Sequence, residues 1–339
     1  MEKTLYSLTL EFDTDDHNLL YEGISWYNKN IVDQLEIRED QIILRFTRIE
    51  QKNPEDYIYS DNSPARFQFY RAACFYLAVV GKLPDIKKLT LQDEHNEISL
   101  KQEILTTNWA NCKVDICLSY EIASRVFHQD GKRDYIVLTY FLKAQLDMFS
   151  HDAFRAAWSC LNAIYTPMSD SNREGDKLRA LREVIRTHKL PEAETYVRKL
   201  DNDFWRHLQW YNFSQTKSLE NLEKSVMNNQ YTDKTLYQMI SNYVCGVYRK
   251  EDALKAEEIR KFAEERLKKK RVNANEQLRF LVTEYCYMLR NRSFHAGRPY
   301  PIFGMKNDKK ENEEKALTKL ILLTVKDLLC ADNVSLING

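Results

Sequence analysis

Residues 278–297 read LRFLVTEYCYMLRNRSFHAG, and their pattern decides the character of the C-terminal half. Leu278, Leu281, Val282, Tyr285 and Leu289 fall on one stripe of a 3.6-residue repeat, the pattern of a helix with one buried face. That stripe runs directly into Arg290-Asn291-Arg292-Ser293-Phe294-His295. Gly297, Pro299 and Pro301 follow, and they predict a helix end close to His295, which would swing the imidazole back toward Arg290. Beyond a polar loop from Lys306 to Asn312, Leu317, Leu320, Ile321, Thr324 and Leu328 share one face of a closing helix.

The same helical texture extends upstream to about Asp134. Phe154, Ala157, Trp158, Leu161 and Tyr165 form an apolar stripe closed by Pro167, and Ser169-Asp170-Ser171-Asn172 is a loop. Further helices are predicted through Leu178–His188 and from Pro191. The stretch 249–272 reads as one charged helix ending in Lys268-Lys269-Lys270-Arg271; its ten basic and six acidic residues leave a net charge of +4.

The first 130 residues have a different texture. Leu5, Leu8, Leu10 and Phe12 lie in a β-rich run that ends in the acidic turn Asp13-Thr14-Asp15-Asp16. QIILRFTR at 41–48 is a second strand, with shorter ones near Lys88–Leu91 and Glu97–Leu100. Pro64 to Val80 is helical in composition, with Gly81 as its stop. The predicted layout is therefore α+β: a mixed α/β domain over 1–130 and an all-α bundle over 131–339.

Composition narrows the function classes. A chain of 339 residues with 43% hydrophobic and 29% charged residues has material for about two globular domains. Fifty basic residues balance fifty acidic ones, so any nucleic-acid binding must come from a local basic patch. Seven scattered cysteines, an odd number, predict reduced thiols rather than a disulfide framework. No secretory signal and no membrane-spanning run is legible, which makes the expected location cytoplasmic. Asp13, Asp15, Asp16 and His17 lack the glycine and closing glutamate of a calcium loop, and Cys112 and Cys117 lack the second ligand pair of a zinc site. His95 has no ligand partner at helical spacing, and His151 and Asp152 read as a helix start. No metal and no cofactor is expected. Phosphate-binding glycine loops, nucleophile elbows and zinc-protease helices are absent from the sequence.

The chemistry-bearing residues are those of the Arg290–His295 run. A histidine takes or gives a proton near neutral pH. An arginine fork stabilises charge that builds on a phosphate, and Asn291 is a candidate to orient the phosphate or the histidine by hydrogen bonds. RNA carries its own nucleophile in the 2′-hydroxyl. Arg292 and Arg298 flank the run and are candidates for holding neighbouring phosphates.

MLRNRSFHAG resembles the R-x4-6-H motif of HEPN domains (higher eukaryotes and prokaryotes nucleotide-binding), in which a polar residue, often Asn, follows the arginine. The setting of helix, short loop and closing helix is similar as well. The resemblance implies a metal-independent endoribonuclease that leaves a 2′,3′-cyclic phosphate, with Arg290, Asn291 and His295 as its catalytic residues. It also implies a homodimer with a composite cleft, an RNA substrate, and a role as a phage-defence or toxin-type effector, with a regulatory or antitoxin partner possible. The competing expectation is an HEPN-like interaction or nucleotide-binding protein that does not cut.

Overall fold

The computed structural model describes residues 3–49, 55–93, 96–100, 112–295 and 308–331. Contacts divide the chain into two compact units, Met1–Ala163 and Ile164–Gly339.

Among the described residues of the first unit, six strands form one antiparallel sheet: β1 (Lys3–Phe12), β2 (Leu19–Asn28), β3 (Ile31–Arg38), β4 (Gln41–Ile49), β5 (Ile86–Gln92) and β6 (Glu97–Ser99). Their spatial order is β2-β3-β4-β1-β5-β6. The period-2 alternation of β1 sends Tyr6, Leu8, Leu10 and Phe12 into the core, and β4 does the same with Ile42, Leu44 and Phe46. After the short helix α1 (Asp56–Tyr59), α2 (Pro64–Val80) lies against β2, β3 and β4. Its buried Phe69, Ala72, Phe75 and Tyr76 complete that core, and each large apolar side chain so buried contributes about 1.5–3 kcal/mol.

Both ends of α2 are specified locally. Ser63 Oγ accepts from the Arg66 amide at 3.4 Å and Pro64 opens the helix. Gly81 closes it at φ 86°, donating its amide to Leu77 O at 2.9 Å. α3 (Tyr120–Ala123), α4 (Lys132–Leu146) and α5 (Ser150–Tyr165) follow. Because α4 packs on α2, it belongs with the sheet, and the division between the units falls inside α5.

The described residues of the second unit are helical: α6 (Glu174–Thr187), α7 (Pro191–Arg198), α8 (Asn202–His207), α9 (Trp210–Thr216), α10 (Leu219–Met227), α11 (Lys234–Glu251), α12 (Ala253–Leu267), α13 (Ala274–Phe280), α14 (Cys286–His295) and α15 (Asp308–Cys330). The chain as a whole therefore has the α+β layout. α13 and α14 are joined without a break by a π-helical turn, Leu281–Tyr285, into one rod from Ala274 to His295. Leu278, Leu281, Val282 and Tyr285 on the rod are fully buried, as are Leu317, Leu320, Ile321 and Val325 of α15. The predicted stripes on both helices thus face the core.

Two expectations are corrected, and several elements are new. Residues 249–272 are not one helix: α11 ends at Glu251, and Asp252 caps α12 by accepting from the amides of Leu254 and Lys255, each at 3.1 Å. The strands β2 and β3, with the helices α8 to α11, were not foreseen as elements. Finally, the backbone stays helical through His295. The glycine and prolines beyond it therefore do not turn the chain back before that residue.

Candidate functional site

Arg290 sits on α14, half-buried, and donates from Nη1 to Asn291 Oδ1 at 2.9 Å. One electrostatic neighbour is the phenol of Tyr165, the last residue of α5, which is fully buried and donates to Glu174 Oε1 at the start of α6. Burial pushes the Tyr165 phenol well above its ordinary pKa, the Glu174 hydrogen bond adds to this, and Arg290 acts in the opposite direction. The neutral phenol is therefore a donor at any physiological pH. Glu174, Tyr165, Arg290 and Asn291 form one polar group at the end of the rod. Sequence reasoning missed Tyr165 as a site neighbour because it counted only as the last residue of an apolar stripe, and Glu174 carried no signal at all.

The helical register sets what the candidate residues share. Five residues along an ideal helix turn about 140° and advance about 7.5 Å, so Arg290 and position 295 lie on different faces of α14. Asn291 is four residues from position 295 and Arg292 is three, so these two lie on its side of the helix. Arg292 is exposed and Asn291 half-exposed. The structure brings Arg290 and Asn291 together and places His295 one turn beyond Asn291. Arg298 lies outside the described residues.

The π-helical turn carries a second polar group. Arg182 of α6 donates to Thr283 Oγ1 at 3.2 Å and pairs with Glu284 at 3.4 Å, while Lys217 pairs with the other Glu284 oxygen. π-turns often mark functional positions, and this one fixes the rotation at which Arg290 leaves the core.

His17 pairs with Asp40 at 2.7 Å beside the acidic turn. Among the described residues no group of three histidine, cysteine or carboxylate side chains is arranged to hold a metal ion. All seven cysteines are thiols. His151 lies at the start of α5, 3.3 Å from Asp152, and His95 lies outside the described residues. Among the described residues no helix is long and apolar enough to cross a membrane. Comparison with known protein families, curated proteins and solved structures gave no match to this chain.

Proposed function

We propose that this protein is a metal-independent endoribonuclease of the HEPN type that acts as a homodimer. The observation that carries the reading is the Arg290–Asn291 pair on a helix that reaches His295 one turn later, inside an all-helical unit. In the proposed reaction the ribose 2′-hydroxyl loses its proton to a base and its oxygen attacks the adjacent phosphorus. The new bond closes a 2′,3′-cyclic phosphate. The bond to the 5′-oxygen breaks, and that oxygen leaves with a proton from an acid. His295 serves as one of these proton carriers. Arg290 stabilises the charge gathering on the phosphoryl oxygens, and Asn291 holds its guanidinium in place. Arg292 and Arg298 hold flanking phosphates. The reaction as written requires neither metal nor cofactor.

Within one chain Arg290 and position 295 are separated by about 140° around the helix. The reading therefore assigns the complementary residue to a second copy of the chain. A role as a phage-defence or toxin-type effector, regulated by the first unit or by an antitoxin-like partner, belongs to the same proposal.

The angular separation also gives the second reading its footing. A monomer would leave the two residues apart, which fits an interaction or nucleotide-binding protein that does not cut. The deciding experiment incubates total RNA with the wild type and with His295→Ala, with EDTA throughout. Cleavage by the wild type alone, with cyclic-phosphate ends and greatest near neutral pH, supports the ribonuclease. RNA left intact by a monomeric wild type supports the second reading.

A further inference from the structure

A cavity of about 590 Å³ opens where the loop after α12 meets α7 and the turn between α10 and α11. Arg198, Arg266, Lys269, Lys270 and Arg271 line it, against a single carboxylate, Glu194. That carboxylate is already engaged, accepting from Arg198 and from Asn275 Nδ2, both at 3.3 Å. Among the described residues Arg266, Lys269 and Arg271 are exposed and form no ion pair. They are left with charge to offer a ligand.

The wall behind these cations is rigidly built. Asp233, fully buried, accepts from the amides of Asn273 at 2.6 Å and Leu236 at 2.7 Å and from Gln277 Nε2 at 3.2 Å. The Arg271 carbonyl accepts from the Lys234 amide at 3.0 Å, and Lys270 Nζ donates to the Tyr231 carbonyl. Buried Glu276 takes the amides of Thr232 at 3.0 Å and Asp233 at 2.9 Å. The basic loop is thus held by carboxylates and by Lys270 facing inward, while Lys269 and Arg271 are exposed. This is the preorganised arrangement an anion site needs.

The geometry points to this cavity as a docking site for the phosphodiester backbone of single-stranded RNA, read without regard to sequence. None of the lining side chains is aromatic, so a base finds no stacking partner and the contacts available are to phosphates. The cavity lies at the Ala274 end of the rod and Arg290 sits sixteen residues on, about 24 Å along the axis. One strand of a few nucleotides reaches both. The choice of RNA as the source of the phosphates rests on the ribonuclease reading; the site itself does not.

Binding is measured by fluorescence anisotropy with a labelled single-stranded RNA of 20 nucleotides, over a range of salt concentrations. Every protein carries His295→Ala, so the RNA stays intact. Losing two phosphate contacts on a single strand lowers the slope of log affinity against log salt by about 1.4. If affinities converge near 1 M salt, Lys269→Ala with Arg271→Ala weakens binding about 25-fold at 0.1 M. The paired control, Arg249→Ala with Lys250→Ala on exposed positions of α11, is expected to leave both quantities unchanged, and matched thermal melts establish that all variants fold. Equal affinity and slope in the two double variants overturns the proposal. So does tripolyphosphate binding at Lys269 and Arg271, seen by calorimetry, that RNA fails to displace. Neither readout depends on cleavage, so a protein that cuts nothing still tests the site, and loss of RNA docking leaves the cleavage test intact.

Discussion

Asp233→Ala removes the acceptor for three donors at once: the Leu236 amide, the Asn273 amide and Gln277 Nε2. The side chain is fully buried, so water does not replace it without opening the loop. Loss of the cap on α11 costs about 1 kcal/mol. Stranding the buried Gln277 amide and the part-buried Asn273 amide adds about 1–3 kcal/mol. Burial raises the Asp233 pKa, with the hydrogen bonds from Asn273, Leu236 and Gln277 acting against it, so the variant also sheds a carboxylate that is expensive to ionise. A net loss of about 3 kcal/mol follows from these opposing terms. In a unit of this size each kcal/mol moves the midpoint by about 2–4 °C, which puts the shift at about 6–12 °C. Differential scanning calorimetry at pH 7 reads it directly, and hydrogen exchange at the Asn273 amide rises with it. A shift no larger than that of an exposed substitution, about 0.5 kcal/mol, would refute the claim that this carboxylate anchors the basic loop.

Further outcomes follow from individual positions. Gly81→Ala places a Cβ at φ +86°, 2.9 Å from Cys117 Sγ, and is expected to destabilise the first unit by about 1–2 kcal/mol in urea unfolding; an unchanged midpoint would contradict this. Asp327, buried on α15, accepts from the Ala193 amide at 2.9 Å; burial raises its pKa, with that hydrogen bond acting against it. A raised folded-state pKa means that stability is fully present below the unfolded value of about 3.8 and is lost as pH rises through the folded value. Asp327→Asn keeps an acceptor for Ala193 without titrating. Its melting temperature relative to wild type is therefore expected to be higher at pH 7 than at pH 4, and a difference that falls with pH would reverse the sign. Co-purification and light scattering are expected to give a dimer, as the proposed composite cleft requires; a strict monomer at cleavage-competent concentration would contradict that proposal.

Where sequence and structure agree, local physics sufficed. The alternation of β1 and β4, the Pro64 to Gly81 bounds of α2 and the stripes of the Ala274–His295 rod and α15 each follow from one period or one helix-ending residue. Where they part, the deciding interaction joins distant segments. β3 buries Asp33, and a buried acid disguises the alternation of a strand; it is tolerated because Arg48 binds both carboxylate oxygens at 2.8 and 2.7 Å and Gln68 adds a bond at 2.6 Å. The charge run at 249–272 concealed the Asp252 cap, since a carboxylate among many charges gives no warning that it ends one helix and begins another. At the site, Arg290 and Asn291 were legible as residue types in a motif. Tyr165 and Glu174 were not, because only the turn between α5 and α6 brings them together beside Arg290.

The proposed catalytic cleft shared between two copies is tested by mixing two inactive proteins. Arg290→Ala and His295→Ala are assayed on RNA in EDTA, each alone and then after mixed refolding or co-expression, with 2′,3′-cyclic phosphate ends as the readout. Each alone is predicted to be inactive, and the random mixture to regain about a quarter of wild-type activity, since half the dimers are mixed and each of those keeps one intact Arg290–His295 pair. Full activity in either variant alone, or a mixture as inert as its parts beside an active wild type, would contradict the account.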